Sequence, residues 1–262
     1  MSPDVRSLIR SAVAVSSIVA APALAHAQVI TARGATRDYA ADIACGARAS
    51  AMPADMSLRV AGGRERGKSL FGPGDPLIVK GGTSQGVKVG QEYFVRRIVA
   101  DRFLAPGSDG VRTSSIHTAG WIRVIEAQSD SAIATVTKVC DTIQEGDYLE
   151  PFVKPAVPVA STAAGEPDYA NPGHILLGDD RRQMAAQGDL MVFDRGSDHG
   201  LHGGQRLTIF RTTAGGTGPI SRIAEATAMI VSPETTIIRI DKTTDAVHVG
   251  DLVAIHRQEP NH

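Results

Sequence analysis

A stretch of sequence that occurs twice sets the strongest limit on what this chain can fold into. Gly74-Asp75-Pro76-Leu77-Ile78-Val79-Lys80-Gly81-Gly82-Thr83-Ser84-Gln85-Gly86-Val87-Lys88-Val89-Gly90-Gln91 aligns without a gap to Gly188-Asp189-Leu190-Met191-Val192-Phe193-Asp194-Arg195-Gly196-Ser197-Asp198-His199-Gly200-Leu201-His202-Gly203-Gly204-Gln205. Gly74/Gly188, Asp75/Asp189, Gly82/Gly196, Gly86/Gly200, Gly90/Gly204 and Gln91/Gln205 coincide. The second halves also match, at a different offset, with 132–138 parallel to 236–242. Each copy then closes on a Gly-Asp and an apolar run, Gly146-Asp147-Tyr148-Leu149 and Gly250-Asp251-Leu252-Val253-Ala254-Ile255. One small unit therefore folds twice. The change of offset puts extra residues into the first copy, within 100–118. The Gly, Ser, Asp and Pro content of that segment predicts an exposed, mobile loop.

The repeated unit reads as β. Its apolar runs are short, β-branched and bounded by Gly, Asp and Ser, and outside the N-terminus none keeps a 3.6-residue period over three turns. Gly-Asp before an apolar run suits a tight turn, because Gly takes positive φ and Asp accepts bonds from nearby N–H groups. Gly82, Gly86 and Gly90, like Gly196, Gly200 and Gly204, suit a close turn between strands. Strands are expected at 93–98 and 206–211, with opening strands at 56–61 and 174–177. The fold class expected is all-β: two tandem small barrels, SH3-like or related.

The termini and the connection read differently. Arg6 and Arg10 precede an Ala/Val-rich apolar run over 11–24, and Ala25-His26-Ala27 fits a small-x-small cleavage site. This is the order of a secretory signal peptide over 1–27, too short and too Ala-rich for a stable span; an uncleaved anchor is the alternative. Residues 28–55 form an extension, 56–152 module 1, 153–172 a Pro/Ala-rich linker and 173–257 module 2. In an oxidising compartment Cys45 and Cys140 are a candidate disulfide, two buried free thiols being the alternative. A net charge of −1 with both signs interspersed gives no general attraction to nucleic acid or anionic lipid, so any membrane contact comes only through association.

The order Gly-Asp, apolar run, Gly-x-x-x-Gly-Leu/Val-x-x-Gly, strand, loop, strand, Gly-Asp resembles repeats of bacterial periplasmic proteins. Such repeats accompany LysM domains and occur in similar form in the C-terminal domain of flagellar assembly protein T. The resemblance implies a structural or adhesive role and supplies no catalytic residues.

Candidate chemistry is sparse. Met191-Val192-Phe193-Asp194-Arg195-Gly196 resembles an aspartic-protease loop, but Lys80 stands at the position of Asp194 in the other copy, so one chain cannot form the dyad. His199 and His202, with Asp198 beside them, have metal-ligand spacing, yet Gln85 and Lys88 hold the matching turn positions. Asp75, Asp147, Asp189 and Asp251 each sit in a Gly-Asp turn, which a capping role explains. The run Ala214-Gly215-Gly216-Thr217-Gly218 lacks the features of a phosphate loop and reads as a hairpin, and the lone Trp121 reads as core. No catalytic, metal or cofactor site is expected. The function expected is non-enzymatic binding or scaffolding at the cell envelope, in the periplasm or outside the cell, with a cell-wall polymer or an envelope protein as partner. The alternatives are a hydrolase between the modules, around Asp194 and His199, or a subunit of a flagellar or secretion-type assembly, for which oligomerisation is open.

Overall fold

The structure, a computed structural model, describes residues 38–49, 55–65, 67–104, 112–162, 165–178, 182–212 and 218–257. The signal peptide read over 1–27 lies outside them, as does most of the glycine-rich run at 214–218.

The first copy is built from β2 (Arg59–Gly63), β3 (Pro76–Lys80), β4 (Glu92–Leu104), β5 (Arg112–Ala127), β6 (Ser131–Val139) and β7 (Tyr148–Pro151). Before it stand helix α1 (Tyr39–Cys45) and β1 (Arg48–Ala49). The second copy uses β9 (Gly173–Gly178), β11 (Leu190–Phe193), β12 (Arg206–Thr212), β13 (Ile220–Val231), β14 (Thr236–Thr243) and β16 (Leu252–Arg257). It is joined by β8 (Glu166–Pro167) and by a small ribbon of β10 (Met184–Ala185) with β15 (Val247–His248).

All pairings are antiparallel, and each set of six closes on itself. In module 1 the order around the barrel is β2-β3-β6-β5-β4-β7, with β7 returning to β2; in module 2 it is β9-β11-β14-β13-β12-β16, with β16 returning to β9. In each, the first, second, fifth, fourth, third and sixth strands follow one another. Even the bulges recur: Val95/Arg96 on β4 matches Ile209/Phe210 on β12, and Trp121/Ile122 on β5 matches Glu225/Ala226 on β13. Closure leaves the barrel strands no free edge over the paired region.

The cores follow from alternation. Leu77 and Val79 of β3 and Ala132, Ala134 and Val136 of β6 point inward with Val60, Val95, Ile122 and Leu149. In module 2 the same interior is filled by Ile175, Met191, Phe193, Leu207, Ile209, Ile238, Ile240 and Val253. Phe71 and Ile143, from outside the barrel strands, join the first core; Ala185 and Val247 of the small ribbon join the second.

Two expectations change. The segment 100–118 is not a loop throughout: β4 runs to Leu104 and β5 begins at Arg112, so the extra residues mainly lengthen a hairpin beyond the barrel. Ser115, His117 and Thr118 are buried in it. Its polar composition disguised a strand whose pairing comes from β4 and β1. The segment 153–172 is also more than a spacer, since β8 pairs with β16, Ser161 donates its N–H to Gly204 O, and Tyr169 packs edge-on against Phe210.

Candidate functional site

The four Gly-Asp turns share one construction. Asp75, Asp147, Asp189 and Asp251 each accept, through Oδ2, the backbone N–H three residues earlier, from Gly72, Gln144, Ala186 and His248 at 2.7–2.8 Å. The glycine before each has φ between +88° and +91° (Gly74, Gly146, Gly188, Gly250), where a side chain would be strained. Gly86, Gly90, Gly200 and Gly204 also have positive φ. Gly82 and Gly196 are extended and serve a different need. A Cβ there would meet Gln128 O at 2.1 Å and Ser232 O at 2.0 Å, so these positions let two backbones touch.

In the last turn of each module an arginine joins the aspartate. Arg97 Nε and Nη2 donate to Asp147 Oδ1 and Oδ2 at 2.7 and 2.8 Å, and Nη2 also reaches Thr142 O. Arg211 repeats this with Asp251 at 2.6 and 2.8 Å, and with Ala246 O. The carboxylate side chains are only 2% and 6% exposed. These hydrogen bonds raise both guanidiniums above their ordinary basicity. Sequence reasoning took the aspartates and missed the arginines, although Arg97 and Arg211 stand at the same offset as the glycines. Lys68 and Arg182, which face Asp75 and Asp189, do so too.

The two modules meet across the N-terminal arm, residues 38–49. Asp38 caps α1 by accepting from Ala41 N–H, and Cys45 at the end of the helix is joined to Cys140 at the end of β6. Ala44 packs with Phe94, Trp121 and Phe152 on the outside of barrel 1, so Trp121 is buried beneath the arm rather than inside the barrel. The ring centroids of Trp121 and Phe152 lie 5.2 Å apart. β1 then pairs with β5. The opposite side of the arm meets module 2: Ala47 packs with Leu177 and Val192, and the Arg239 guanidinium lies 5.3 Å from the ring centre of Tyr39. This explains why β11 is apolar without a break. Met191 and Phe193 fill the barrel while Leu190 and Val192 face the arm and are buried, whereas Pro76 and Ile78 at the equivalent positions of β3 are only half-buried.

The residues singled out for chemistry fall elsewhere. Asp194 accepts from His174 N–H at 2.7 Å, and its Oδ2 lies 3.1 Å from His174 Nδ1; no bond joins it to His199. His199 and His202 are on exposed turn positions. His256 is half-buried, with Nδ1 donating to Gly165 O at 2.9 Å and Nε2 meeting Thr208 Oγ1 at 2.8 Å. Burial pushes its imidazole below the ordinary value. Among the described residues no three His, Cys, Asp or Glu side chains stand close enough to hold a metal ion, and no helix is long and apolar enough to cross a membrane.

Compared with known families and with curated proteins, the chain matches no family model and no curated sequence.

Proposed function

We propose that this is an exported, non-enzymatic binding or scaffold protein of the cell envelope, contacting cell-wall polymer or another envelope protein. The observation that carries the reading is that the duplicated polar residues are committed to architecture. All four turn aspartates cap backbone N–H groups, and two of them also accept paired hydrogen bonds from an arginine. What the duplication preserves is a rigid unit, which is what a presenting scaffold needs. The Cys45–Cys140 disulfide supports a compartment outside the cytoplasm, in keeping with the leader read over 1–27. The likeness of the repeat to LysM-associated modules and to the flagellar assembly protein T domain supports an envelope role. The test is co-sedimentation of the purified chain with purified peptidoglycan, together with crosslinking in intact envelopes. Retention on the polymer, or one reproducible crosslinked envelope protein, is expected; neither would end the reading. The exported protein is expected to have a mass lacking residues 1–27.

A second reading, a subunit of an envelope assembly, draws on the long hairpin. β7 covers β4 only as far as Arg96, so among the described residues β4 beyond Arg96 is paired on the β5 side alone. Such an edge can pair between chains. Light scattering at rising concentration separates a defined multimer from a monomer.

A further inference from the structure

We propose that module 1 carries a carboxylate-binding niche beneath the N-terminal arm, formed by Arg96, Thr118 and Tyr148 with Arg48 and Glu150 at its rim. Arg96 on β4 is the register partner of both Thr118 on β5 and Tyr148 on β7, so the three side chains stand in one row on one face. All three residues are buried, Arg96 to 1% exposure. Arg96 Nε and Nη2, Thr118 Oγ1 and Tyr148 Oη nevertheless have no hydrogen-bond partner. Leaving such groups buried and unpaired forfeits their hydration without return.

The charge balance points the same way. The nearest carboxylate, Glu150, places Oε2 3.3 Å from Arg96 Nε but out of line for a hydrogen bond, and its side chain is 39% exposed. Arg48 adds a second positive charge. Burial first, and then Arg48, push the Arg96 guanidinium down to about 10. Around Arg96, then, a second guanidinium opposes its charge and one half-exposed carboxylate offsets it. The Phe94 ring, 4.3 Å from the Arg96 guanidinium carbon, supplies a cation–π contact but no acceptor.

The duplicate acts as an internal control. The row equivalent to Arg96, Thr118 and Tyr148 is Phe210, Arg222 and Leu252, and it closes under the ring of Tyr169. The barrel therefore does not need the polar row. The ligand class follows from the unpaired edge. Nε and Nη2 are the two nitrogens by which Arg97 and Arg211 grip Asp147 and Asp251, and a planar carboxylate fits that edge through two parallel bonds. The Thr118 and Tyr148 hydroxyls add donors. Access is from the side of Arg48 and Glu150, the members of the cluster that reach solvent.

The test is thermal unfolding of the full disulfide-bonded chain in rising acetate, against chloride at matched ionic strength, with poly-glutamate as a second arm for polymer-borne carboxylate. A saturable rise in midpoint is expected with acetate, with poly-glutamate, or with both; the arm that responds identifies the source. Tyr148→Phe is expected to weaken the response about fivefold. Arg96→Phe, which copies module 2, is expected to abolish it, and Glu150→Gln to strengthen it by removing the competing charge. Equal behaviour of acetate, poly-glutamate and chloride would overturn the proposal. So would an unchanged response in Tyr148→Phe, which keeps the test open should Arg96→Phe not fold, or loss of the response in Glu150→Gln.

Discussion

Asp147 and Asp251 each answer two demands with one carboxylate, a turn N–H on one side and an arginine fork on the other. Asn at either position keeps the shape but gives up the charge that matches Arg97 or Arg211. Asp147→Asn is expected to cost about 2–3 kcal/mol in chemical denaturation, and Asp251→Asn about the same in module 2. A cost confined to one module would show that the two locks are not equivalent. His256 makes a prediction in pH. Gly165 O can only accept, so Nδ1 carries the proton and neutral Nε2 accepts from the Thr208 hydroxyl. Desolvation lowers its pKa in the folded chain from the ordinary 6.5, while Arg206, Glu166 and Glu225 are the charges around it. A base with a depressed folded value stabilises fully above the unfolded value and loses that stability as pH falls through the folded one. The stability advantage of the native protein over His256→Gln is therefore expected to shrink as pH drops below about 6.5. An advantage that holds constant to pH 5 would contradict this.

At the scale of elements, the recurring glycines do two different jobs, and substitution separates them. Gly200, with φ +78°, has room for a side chain, so Gly200→Ala is expected to cost about 1–2 kcal/mol of conformational strain. Gly196→Ala would drive a Cβ to 2.0 Å from Ser232 O and 2.4 Å from Pro233 O; both are backbone atoms, so about 3 kcal/mol or more is expected. A reversed order in thermal unfolding would count against the close backbone approach. The elements were largely legible because turn chemistry and two-residue alternation are local signals, and duplication supplied each signal twice. The hairpin over 100–118 was misread because its strands hold together by pairing with β1 and each other, which no local composition reports. The continuous apolar run of β11 was visible in the sequence, yet only the arm lying across Leu190 and Val192 explains why both of its faces are covered. Arg97 and Arg211 were readable at the repeat offset. The row of Arg96, Thr118 and Tyr148 was not, because the second copy fills the same positions with Phe210, Arg222 and Leu252.

For the whole molecule, the arm matters more than its length suggests. Both ends of the disulfide pack against the Phe94–Trp121 cluster of module 1, while the residues that follow Cys45 press on module 2. Cys140→Ser is therefore expected to do two things. It removes a cross-link between residues 95 apart in sequence, about 4–5 kcal/mol in chain-entropy terms, and it frees the arm from the seam. Limited proteolysis should then cut within 153–162 faster than in the native chain; equal cutting rates would show that the arm does not couple the barrels. The central claim is that one six-stranded barrel is made twice and that the two copies are joined across a disulfide-anchored arm. A crystal structure of the purified protein tests it most directly. The account predicts that the strands of 59–151 superpose on those of 173–257 in the same order, with Cys45 bonded to Cys140 and Ala47 against Leu177 and Val192. Barrels of different strand order, or an arm that leaves Val192 facing solvent, would contradict it.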